Sequence, residues 1–199
     1  TGGAISIISG YGRATSSGAF SVRTPNAGAA GVSGTLSFTS GTSSAGSSGQ
    51  ITLRTGSATL GAGGSISVIV GSGKSSAGGR VVVTSGESTH VTGGALSMIS
   101  GYGRTKSSGV FSVRTADSGV DGVSGSLAFT SGTTSKGSSG QITLRTGSAT
   151  LGTAGSISVV VGSGKSSAGG RIAMNAGEST TTTGGAISII SGYGRATSS

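Results

Sequence analysis

The stretch "GAISIISGYGRATSSGAFSVRT", Gly3 to Thr24, contains one complete unit of this chain and the start of the next. After Gly3, the apolar Ile5 and Ile7 are separated by Ser6, and a second glycine, Gly10, follows. Gly18 restarts the phrase with Phe20, Ser21 and Val22. Strict alternation of apolar and hydroxyl residues is the pattern of an extended strand with one covered face.

The phrase recurs along the whole chain. Gly3, Gly18, Gly34, Gly49, Gly64 and Gly79 open six units, and Gly94 to Gly185 open seven more. Every step is 15 residues except Gly18 to Gly34 and Gly109 to Gly125, which are 16. The residues two and four after each opening glycine are all apolar, from Ile5 and Ile7 to Ile187 and Ile189. A glycine seven residues on, as at Gly10 and Gly41, predicts a bend with positive φ or a tight backbone approach. Pro25 and Ala116 replace it, both in the 16-residue units.

Six short units form a longer repeat of 91 residues. Copies run 1–91 and 92–182, with a partial third at 183–199, and the two full copies differ at 24 positions. The substitutions Ile5 to Leu96 and Val83 to Met174 keep apolar volume, whereas Thr15 to Lys106 and Ala45 to Lys136 change the chemistry.

One strand in the same phase every 15 residues, with about nine residues to return, predicts an all-β fold. The expected architecture is a parallel β-solenoid (β-helix) of about thirteen 15–16-residue coils, continuous over 1–199, with a thin two- or three-sided cross-section. Its large residues would face small inward ones such as Gly12, Ala14 and Ser16, or Ala58, Leu60 and Ala62. The chain starts and stops inside a repeat, so it is expected to be a window on a longer array.

Composition excludes several classes. Gly makes up 43 of 199 residues, but not every third, and Pro occurs once, so this is not collagen. There is no Cys, hence no disulfide or thiolate metal site. No stretch reaches the ~18 apolar residues of a membrane span. Thirteen Lys/Arg against four Asp/Glu give +9, which favours anionic partners. No basic run points to nucleic acid.

No catalytic constellation is expected. The single His90 is Thr181 in the next copy, and Glu87 and Glu178 are equivalents 91 residues apart. Asp117 and Asp121 are too few for a Ca²⁺ cage. "VGSGKSS" at 70–76 lacks the first glycine of a phosphate loop, where Val68 stands. No enzymatic activity, cofactor or metal is therefore expected.

The candidate surface-binding residues are the cations. Arg23, Arg54, Arg114 and Arg145 share one phase, five residues after the opening glycine. Arg13, Lys74, Arg104, Lys165 and Arg195 share another, in the return half. They would meet anionic polysaccharide or silica, or keep chains apart. Outward Ser and Thr could carry O-linked glycans. Ice binding fits less well, because Arg and Ile interrupt any regular Thr lattice.

The order V-S-G-x-L-x-F-x-S-G-T, S-G-x-I-x-L-x-T-G-x-A and V-G-S-G, over the whole chain, resembles Gly/Ser/Thr-rich tandem-repeat β-solenoid proteins predicted in diatoms and related algae. That resemblance implies an extracellular or cell-surface setting and no reaction. The expected role is a structural component of an extracellular fibre or cell-wall-associated filament, with the chain assembling with itself head-to-tail and laterally. The alternative is a surface adhesin acting through the cation columns.

Overall fold

The computed structural model describes residues 2–193. It divides into two compact units, Thr1–Ser97 and Met98–Ser199. Among the described residues neither unit contains a helix or a strand. The backbone instead is irregular and is interrupted at regular spacing by short bends and turns.

The bends keep the period of the sequence. In the first unit they fall at 13–15, 44–46, 59–61, 74–76 and 89–91, with a turn at 29–30. In the second they fall at 104–106, 135–137, 150–152, 165–167 and 180–182, with a turn at 120–121. Both turns lie in the 16-residue units, where Gly31 N–H donates to the Gly28 carbonyl at 3.2 Å and Gly122 N–H to the Gly119 carbonyl at 3.3 Å.

Seven of the loops are tied where they begin and end. In these the amide of an opening glycine donates to the carbonyl of the glycine eight residues before it. Gly18 bonds Gly10 at 2.8 Å, and Gly94 to Gly86, Gly109 to Gly101 and Gly185 to Gly177 each span 2.9 Å. Gly79 to Gly71 and Gly170 to Gly162 are 3.2 Å, and Gly64 to Gly56 is 3.5 Å. We call these ties crossings. At Gly18 the Ser9 hydroxyl adds a second bond, to the Gly18 carbonyl at 2.9 Å. In the Pro25 unit the Thr24 hydroxyl donates to the Gly34 carbonyl at 3.1 Å.

These crossings require the missing side chain. A Cβ on Gly18 would stand 3.2 Å from the Gly10 nitrogen, and one on Gly185 would stand 3.1 Å from that of Gly177. At Gly79 and Gly170 the space is filled by the Cγ1 methyls of Val70 and Val161. Gly10, Gly56, Gly71, Gly86 and Gly101, on the acceptor side, face open space.

The β-solenoid expectation is overturned. No sheet forms among the described residues, so there are no stacked coils and no two- or three-sided section. The columns expected to fill a core are exposed, and no hydrophobic residue is buried among the described residues. Ile66 is 51% exposed and Val68 73%. Leu60, expected inward, sits in a bend and is fully exposed. The alternation leaves no consistent trace in coverage: Ile66 is better covered than the off-column Ile69, at 87%, but Ile5, at 93%, is more exposed than the off-column Ile8, at 86%. Nor does any described glycine have positive φ; Gly10 and its equivalents mark crossings, and the bends lie elsewhere.

The physical reason lies in what each unit has to bury. The two apolar columns and the few large residues beside them are surrounded by Gly, Ala and Ser, which offer little apolar area and, for Gly, the greatest backbone entropy to lose. Hydroxyls also compete with a sheet ladder. Ser9 and Thr24 bond to backbone carbonyls of the next unit that a ladder would otherwise use. The residues that become partly covered are correspondingly small: Ser9, Thr24, Thr55, Ser85, Ser100 and Thr146 at crossings, and Gly12, Ser88, Gly103 and Ser179 at bends.

Two outcomes follow from a coreless backbone held at crossings. A calorimetric scan of dilute protein is expected to show no cooperative peak; one near ~0.7 kcal/mol per residue would require a core. The amides of Gly18, Gly94, Gly109 and Gly185 are expected to exchange about two- to tenfold more slowly than in a short unstructured peptide, as one net hydrogen bond allows.

Candidate functional site

Eight of the ten bends display one of two chemistries, set by the residue just before the bend; Ala58 and Ala149 precede the other two, at 59–61 and 150–152. Where the preceding residue carries a hydroxyl, that oxygen accepts a backbone amide three residues on. Ser43 accepts from Gly46 at 2.9 Å, Ser88 from Val91 at 3.1 Å, Thr134 from Gly137 at 3.2 Å and Ser179 from Thr182 at 3.0 Å. Ser179 and Thr182 also share a hydroxyl–hydroxyl bond of 2.9 Å.

Where that residue is glycine, the returning backbone packs on its open face instead. Gly12 meets the Ser16 carbonyl, Gly73 that of Ser76, Gly103 that of Ser107 and Gly164 that of Ser167. A Cβ at any of the four would come closer to those oxygens than real side chains do. Only a glycine hydrogen fits, with Cα–H···O geometry.

Each glycine-packed bend opens on a cation, whereas of the four hydroxyl-accepted bends only 135–137 holds a Lys or Arg, Lys136. Arg13, Lys74, Arg104 and Lys165 each occupy the first position of a glycine-packed bend, and all four are exposed. The sequence phase that grouped them thus coincides with one local structure. Arg195, grouped with them, lies outside the described residues.

The second group sits beside the crossings. Arg23, Arg54, Arg114 and Arg145 are exposed, and each is followed by a threonine: Thr24, Thr55, Thr115 and Thr146. Those threonines press on the opening glycine of the next unit. The Thr55 Cβ lies 3.0 Å from where a Gly64 Cβ would be, and Thr146 lies 3.1 Å from that of Gly155. Successive residues of an extended backbone face opposite ways, so threonine at the crossing turns arginine outward. Sequence reading singled out the arginines and missed the threonines; the repeated R-T pair was the available signal. Arg23 further lines an open recess of about 360 Å³ with Thr24, Pro25 and Asn26.

The two long repeats reach the same net charge by different residues. In 1–91 five cations oppose Glu87, giving 5 − 1 = +4; in 92–182 seven oppose three acids, giving 7 − 3 = +4. Lys106 and Lys136 are offset by Asp117 and Asp121. The acids do not assemble with the histidine: among the described residues no three His, Cys, Asp or Glu come together as a metal-holding group. His90 stands in the bend 89–91. "VGSGKSS" forms part of the loop tied between Gly71 and Gly79.

The bend chemistry gives a direct test. Ser88→Ala should speed amide exchange at Val91 about two- to tenfold, the loss of one net hydrogen bond. Gly103→Ala should shift resonances throughout 104–107, whereas Gly101→Ala, whose Cβ meets nothing, should perturb only its neighbours. No family model, no curated protein and no solved structure matches this chain.

Proposed function

We propose that this chain is a non-catalytic structural component of an extracellular fibre or cell-wall-associated filament, and that its partner in assembly is a further copy of itself. One observation carries the reading: the apolar columns, repeated every 15 or 16 residues, remain exposed. Contiguous exposed apolar surface favours association. A second copy presents the same columns at the same spacing, so many weak contacts can be made in register. The extracellular setting rests on the resemblance to algal repeat proteins. In that setting the exposed Ser and Thr are acceptors for O-linked glycans. No helix among the described residues is long and apolar enough to cross a membrane.

Light scattering over a concentration series tests the reading. Assembly should rise steeply with concentration, and Phe20→Ser, Phe38→Ser, Phe111→Ser and Phe129→Ser together should raise the onset at least tenfold. A chain that stays monomeric at every concentration, with no fibres in negative stain, would remove the proposal.

A second reading is adhesion to anionic polysaccharide or silica. It is supported by the exposure of the described cations of both phases and by the equal charge of the two long repeats. Retention on an acidic polysaccharide should fall with salt and fall further in the double variant Arg54→Gln, Arg145→Gln. Unchanged retention in that variant would count against the arginines.

A further inference from the structure

The crossings store chain length. From Gly10 to Gly18 the backbone runs through a loop whose two ends are tied by the bond from Gly18 N–H to the Gly10 carbonyl at 2.8 Å. At about 3.3–3.6 Å per extended residue, releasing such a tie frees about 25 Å of chain. The same arrangement recurs at Gly64, Gly79, Gly94, Gly109, Gly170 and Gly185.

We infer that this chain acts as a reversible extensible element, in which the glycine crossings are sacrificial ties that open one by one under tension. The inference deepens the structural role proposed above, because it says what a strand of this protein does when the fibre is pulled. Three observations carry it.

Each tie is local. It joins residues eight apart, and no core has to break before it opens. Each is also weak and unequal. The Gly64 tie at 3.5 Å is the longest and should yield first, whereas the Gly18 tie is doubled by Ser9 and should yield last. Finally, reclosure requires no search through the chain. A loop of about ten residues closes in roughly 10–100 ns, and in every tied loop but that of Gly64 the bend within it, hydroxyl-accepted or glycine-packed, predisposes the return. Extension should therefore be elastic, with no hysteresis at ordinary pulling rates.

The donor and acceptor glycines are not equivalent, which supplies the controls. Gly18, Gly94, Gly109 and Gly185 donate the tie, so proline there removes the hydrogen itself. Gly10, Gly86, Gly101 and Gly177 accept it through their carbonyls, and a Cβ on them meets nothing within 4 Å.

The test is single-molecule stretching of the whole chain held at its two ends. At low force the unsubstituted chain should be shorter than the variant Gly18→Pro, Gly94→Pro, Gly109→Pro, Gly185→Pro by about 100 Å, four loops at about 25 Å each. At high force the two curves should coincide. The variant Gly10→Ala, Gly86→Ala, Gly101→Ala, Gly177→Ala should follow the unsubstituted chain. Identical low-force curves for the unsubstituted and proline chains would overturn the inference. So would an alanine variant that lengthens as much as the proline one, or a marked difference between stretching and relaxation. Association, read separately by scattering, decides the fibre role. A chain that extends as described but never associates keeps this inference and loses that role, and the converse result does the opposite.

Discussion

A single backbone hydrogen bond, from an opening glycine to the glycine eight residues earlier, organises the rest of the structure. It closes seven of the loops and holds their ends together, with a bend turning the backbone in between. Its geometry depends on glycine, since the donor's partner strand or a valine methyl occupies the place of a side chain. Nothing else in the described residues ties segments at comparable regularity. The residues that become partly covered at these ties and bends are small hydroxyl residues and glycines, while the large apolar residues stay exposed even where they reach a bend or a tie, as at Leu60 and Val70.

This arrangement explains how a chain with 32% hydrophobic residues can be without a core. A core needs apolar groups from segments distant in sequence, and the ties are all local. Each unit satisfies part of its backbone with its own hydroxyls and glycines and leaves its apolar pair facing outward. That leaves association between chains as the available route for covering the columns, and leaves the cations on display at bends and beside crossings. Structural assembly, adhesion and extensibility are therefore readings of one architecture, whose function is distributed over repeated weak contacts.

Several features were legible in the residues. The 15-residue step, with its two 16-residue exceptions, reappears as the spacing of the bends and as the position of the turns at 29–30 and 120–121. The two phases of cations reappear as two local settings. Other features were misread. Gly10 was expected to bend the chain, but the bend falls at 13–15 and no described glycine has positive φ. Leu60 was expected to face inward and is fully exposed. Thr55 and Thr146 attracted no notice although each stands in a repeated R-T pair, because the contact each makes with the following opening glycine is a property of the folded backbone.

By itself the sequence determined the repeat, the two phases of cations and the placement of glycines where backbones approach. Period-two alternation sets which way neighbouring side chains face along an extended backbone, and that is a local property. Whether such runs pair into a sheet depends on contacts between units, which alternation does not encode. The tertiary structure decided that point against the solenoid. Local ties between glycines and hydroxyls consumed groups that pairing needed, and large apolar residues spaced out by Gly, Ala and Ser did not draw the units together.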